Sequence, residues 1–78
     1  MATKFWELEN LKRGEGCLAK AAIDEPIFVL RGQDKLAPAL VRAWAALARE
    51  HGCSPDKTNE AVMLACSMEA WRTRKFPD

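Results

Sequence analysis

The sequence predicts a mainly α-helical fold: a small helical domain built on a two-helix hairpin, with one short extended or strand-like segment at about residues 26–31. Three observations lead there. Residues 38–51 and 54–73 each carry apolar side chains at helical spacing. The stretch HGCSP between them holds a glycine, a serine and a proline in turn order, which joins two helices tightly. Only IFVL, residues 27–30, reads as strand.

Taken in order, KFWELENLK (residues 4–12) places Phe5, Leu8 and Leu11 at three-residue steps. That suits a short amphipathic helix, or an arm that docks its aromatics on another surface. Gly14 and Gly16 interrupt it, and CLAKAA (residues 17–22) is helix-prone but too short to stand alone. Glu25 precedes Pro26 and is pushed toward extended geometry. Four consecutive apolar residues after that proline predict cover on both faces, from the helices or from a strand of a second copy.

The first long helix is expected from Pro38 to His51. Proline suits a first helical position and Gly52 a terminator. Leu40, Val41, Trp44, Leu47 and Ala48 form one apolar stripe, which places Trp44 in the core. The second helix is expected from Ser54-Pro55 to about Thr73, with Ala61, Leu64, Ala65, Met68 and Trp71 as its stripe. DEPIFVLR is expected to lie against this frame. The whole, residues 1–78, reads as a single domain, with an arm or short helix over 1–13 and a compact helical core over 14–78.

Composition narrows the function. A chain of 78 residues has a marginal core of its own and gains much from a second copy. Thirteen alanines bury little area each, so the tryptophans must carry much of the core or of an interface. A net charge of +1 argues against nucleic acid. No apolar run is long enough to span a bilayer, and the N-terminus lacks the run of a signal peptide. A cytoplasmic location, with three free thiols at Cys17, Cys53 and Cys66, is the expectation.

Signatures of catalysis are missing. There is no nucleophile elbow, no dinucleotide fingerprint and no P-loop. His51 and Cys53 are too poorly spaced with the other cysteines for zinc, and no third group orients them as a nucleophilic pair. No enzyme activity, cofactor or metal is expected.

Two segments are candidates for binding. Arg31-Gly32-Gln33-Asp34-Lys35 ends the strand-like run. Its arginine matches a carboxylate or phosphate, its glycine permits close approach, and its glutamine reads a base edge or a peptide. Trp71, Arg72, Arg74 and Lys75 follow in the tail, where an indole can stack and cations can neutralise an anion. Each has a plainer alternative: Arg31 pairs with Asp24 or Glu25, Asp34 caps the turn before the helix, and the tail cations complement a helix C-terminus.

The blocks DEPIFVLRGQDKLAP, VRAWAALA and MEAW..RKFPD resemble small accessory proteins encoded in phage and prophage genomes, over roughly residues 15–78. The resemblance implies no catalytic residues. It implies a protein that binds, either blocking or adapting a host protein or sequestering an anionic signalling nucleotide, as in counter-defence. A homo-oligomer is the expected state.

Overall fold

A computed structural model of the chain describes residues 2–77, and residues 1 and 78 lie outside the described part. Four helices follow one another: α1 (Lys4–Lys12), α2 (Gly16–Lys20), α3 (Ala37–Glu50) and α4 (Pro55–Glu69). α1 packs on α2, and α3 packs on α4. Among the described residues no helix of the first pair touches a helix of the second.

The α3–α4 turn is built from local chemistry. Gly52 takes φ +76, a left-handed conformation that a Cβ would strain. Its amide donates to Arg49 O at 3.0 Å and the Cys53 amide donates to Ala48 O at 3.0 Å. These two bonds are a Schellman ending, which satisfies helix carbonyls that would otherwise be orphaned. The His51 ring Nδ1 sits 2.9 Å from Leu47 O and joins that cap. Pro55 opens α4, and Pro38 lies in the first turn of α3. The hairpin, its two prolines and its glycine stop stand where the sequence puts them.

The seam between α3 and α4 consists mainly of small residues. Ala45, Ala48 and Ala37 of α3 are buried, as are Thr58, Ala65 and Met68 of α4. Alanine lets two backbones approach closely, but it buries little apolar area. Thr58 is the polar member. Its hydroxyl donates to Pro55 O at 3.1 Å and accepts from Arg49 Nε at 3.2 Å, and among the described residues no buried side-chain nitrogen or oxygen lacks a partner.

The predicted α3 stripe divides here. At 3.6 residues per turn, Leu40/Trp44/Leu47 and Ala37/Val41/Ala45/Ala48 are two stripes about 100° apart. Only the alanine stripe faces α4. Trp44, expected in the core, keeps 51% of its surface exposed, and Leu40 and Leu47 are open beside it. On the opposite flank, Arg42 and Arg49 reach across the seam. Arg42 Nη2 donates to Glu69 Oε1 at 2.7 Å and to Cys66 Sγ at 3.4 Å, and Arg49 Nη2 donates to Asn59 Oδ1 at 2.8 Å. The hydrogen bond from Arg42 holds the Glu69 carboxyl below its ordinary pKa. The hairpin thus has one polar flank and one apolar flank.

The segment 26–31 carries no helix, turn or ladder. The cover expected for it is not there: Phe28 is 84% exposed, and Ile27 and Val29 are open with it. The helices of the hairpin spend their small residues on each other and leave no groove that receives this run. α4 ends at Glu69, short of the expected Thr73. The Arg74 guanidinium turns back onto Met68 O, so the tail caps the helix from outside. None of the described helices is long and apolar enough to cross a membrane.

Candidate functional site

The two segments singled out for binding lie next to each other. Asp34 and Lys75 form an isolated parallel bridge. In it the Lys35 amide donates to Lys75 O at 2.8 Å, and the Lys75 amide donates to Gln33 O at 2.7 Å. Arg74 adds a second link, from Nη2 to Asp34 O at 3.3 Å. Gly32 faces Trp71: a Cβ built there would lie 3.7 Å from the indole Cγ. That is ordinary van der Waals spacing, so the loop backbone lies directly against the indole.

These contacts shape a shallow depression of about 190 Å³, lined by Val29, Arg31, Gln33, Asp34, Lys75, Phe76 and Pro77. The expected residues play different parts in it. Arg31 has neither an ion pair nor a side-chain hydrogen bond among the described residues, so the pairing with Asp24 or Glu25 is not made. Glu25 instead accepts from the Ala22 amide at 3.3 Å. Gln33 is half-buried at the rim, and its side-chain amide has no protein partner among the described residues.

Asp34 is turned inward on its own loop. Its Oδ1 accepts from the Leu36 amide at 2.8 Å, just before α3, which is the capping role its position allows. Arg74 spends its donors on Met68 O and Asp34 O. It braces the site and does not face the depression. Lys35 lies over the Phe76 ring, 5.0 Å from its centroid, and Arg72 lies over the Trp71 ring at 4.6 Å. Each pair is a cation on an aromatic face, so one face of Trp71 is already taken.

Phe76, Pro77 and Val29 line the depression without having been marked in the sequence. The signal was weak: a lone FP near the end of the chain says nothing about which earlier residue it will meet. His51 and the cysteines form no cluster with acidic residues that could hold a metal among the described residues.

A second concavity lies on the apolar flank of the hairpin. It measures about 300 Å³ and is lined by Ala2, Trp44, Lys57, Glu60, Ala61, Met63 and Leu64. Read from sequence, Trp44, Ala61 and Leu64 belonged to a buried stripe. The structure makes them a groove wall.

Comparison with protein-family models, with curated proteins and with solved structures finds no match for this chain.

Proposed function

We propose that this protein is a non-catalytic binding module that blocks or adapts a host protein, in the manner of the phage accessory proteins its sequence resembles. The observation that carries the reading is the run 27–30. Ile27, Phe28 and Val29 are exposed side by side. No backbone N–H or C=O of residues 27–30 is hydrogen-bonded within the described residues. Such a run offers a partner both things that strand addition uses, main-chain donors and acceptors and alternating apolar anchors. It costs the free protein exposed apolar surface, and a partner that covers it recovers that cost.

Phe28 touches little of its own chain, so Phe28→Ser should leave stability within about 0.5 kcal/mol of wild type. An aromatic anchor at the centre of an interface is worth about 2 kcal/mol or more, so partner affinity should fall about 30-fold. Affinity capture from bacterial lysate, run in parallel on wild type and Phe28→Ser with quantitative mass spectrometry, makes the comparison. The expected result is a stoichiometric partner held by the wild type and lost by the variant. If no such partner is retained, or both proteins hold it equally, the reading is wrong.

The depression at Arg31 favours a second reading, a binder of small anionic ligands such as a nucleotide. Arg31 and Gln33 stand at its rim with side-chain donors unspent. Calorimetric titration with anionic nucleotides should then show saturable binding that Arg31→Ala weakens at least tenfold, about 1.4 kcal/mol. Binding that survives Arg31→Ala unchanged removes this site.

A further inference from the structure

We propose that the apolar flank of the hairpin is a self-association surface, on which a second copy of this chain packs to complete a core that one copy lacks. The inference is separate from the binding run at 27–30 and uses different residues.

The first argument is area. One chain exposes 6299 Å². A compact monomer of 8.7 kDa exposes about 4,700 Å². The excess is about 1,600 Å² per chain, shared between this flank, the run 27–29 and the N-terminal helices; half of it, about 800 Å², is what one side of an ordinary protein–protein interface covers. The radius of gyration agrees: 13.4 Å against about 11.5 Å for a compact chain of this length.

The second argument is pattern. Leu40, Trp44 and Leu47 are spaced four and then three residues apart, the alternation of a helix seam that meets another helix. All three are exposed. Ala61 and Leu64 continue the flank across to α4 and form the groove with Trp44. Two helical hairpins that join by such flanks make an antiparallel four-helix bundle, in which each copy offers the same patch.

The third argument is charge. The groove rim carries Lys57 and Glu60, one of each sign. The chain as a whole carries +1. A surface of this kind does not repel its own copy, whereas a strongly basic or acidic partner would find no complement here. The Arg42–Glu69 and Arg49–Asn59 flank has its polar groups already paired with each other, so the association falls on the other side.

Sedimentation equilibrium of the full chain over a wide concentration series tests the state. The expected mass is twice 8.7 kDa. The double variant Trp44→Glu/Leu47→Glu should halve it, while Ala46→Glu, on the exposed back of α3, and Phe28→Ser should both leave it unchanged. A monomeric wild type, even at the highest concentration, overturns the proposal, and its flank would then be covered by a different protein or by nothing. Hydroxyl-radical footprinting of the wild type gives the location without a substitution, should the double variant fail to fold. Trp44 and Met63 should be oxidised several-fold more slowly in the dimer than their single-chain exposure of 51% and 63% implies, while Phe28 reacts freely. A dimer whose Trp44 and Met63 react at full rate places the interface elsewhere and sinks the proposal. Loss of the partner in Phe28→Ser with the dimer intact, or loss of the dimer with the depression and run unaffected, separates this surface from the binding one.

Discussion

Ala65→Leu is expected to remove about 3 kcal/mol of folding stability and to lower the melting temperature by about 10–20 °C. Ala65 is fully buried, at 0% exposure, between the two long helices. The buried residues of α3 are themselves small, Ala37, Pro38, Ala45 and Ala48, on a helix fixed at one end by the Gly52 turn. The extra three carbons of leucine have nowhere to go unless α3 and α4 separate. Separation in turn breaks the bonds that cross the seam, from Arg49 to Thr58 and from Arg42 to Glu69. A chain of this size has only about 4–12 kcal/mol in total, so the loss is a large share of it. Ala46→Leu makes the same chemical change on the open side of α3 and should stay within about 0.5 kcal/mol. Urea denaturation followed by circular dichroism, with both variants and wild type at one protein concentration, reads the difference. The fixed concentration matters because association would itself raise apparent stability. Equal losses in Ala65→Leu and Ala46→Leu would mean that the alanine seam does not set the helix spacing.

Arg74→Ala is expected to cost about 2 kcal/mol and to free the tail. The Arg74 guanidinium holds two carbonyls at once, Met68 O at the end of α4 and Asp34 O in the loop before α3. Both acceptors lose a charged donor when it goes. The two-bond bridge of Gln33 and Lys35 with Lys75 then holds the tail without the clamp. Limited chymotrypsin digestion should cut faster after Trp71, which is exposed, in the variant than in wild type. Arg74→Lys should fall between the two, since an ammonium replaces a two-carbonyl fork by a point charge. A stable, uncut Arg74→Ala would show that the main-chain bridge suffices without the clamp. The result also bears on binding: loss of ligand or partner in Arg74→Ala would report a collapsed depression, whereas the same loss in Arg31→Ala with full stability would report contact.

How much of the site was legible follows from what each residue does locally. Arg31 and Gln33 were marked because the chemistry of a strand end is a local matter, and they do line the depression. Asp34, in the same strand-end loop, and Arg74, among the tail cations, are candidates by residue type too, but both spend their groups on the backbone. Residue type shows that a group can reach a ligand. It does not show that a carbonyl of the same chain is closer. That residues 31–35 meet 71–75 at all rests on a contact across forty residues, for which neither segment carries a sequence signal by itself.

By itself the sequence determined the helical hairpin, its turn and three of its four helix ends; the C-terminal end of α4, at Glu69, was decided by the tail that folds back on it. Gly52, Pro38 and Pro55 act through their own backbones within one turn, so their effect needs no partner. It also determined that an apolar run breaks out of helix after Pro26. Tertiary structure alone decided which apolar stripe of α3 became the seam. Leu40/Trp44/Leu47 and Ala37/Val41/Ala45/Ala48 are both apolar and adjacent, so helical periodicity sees one broad face. Close approach of two helices selects the small residues for the inside, and the large ones are left outside with most of the hydrophobic free energy still to be gained.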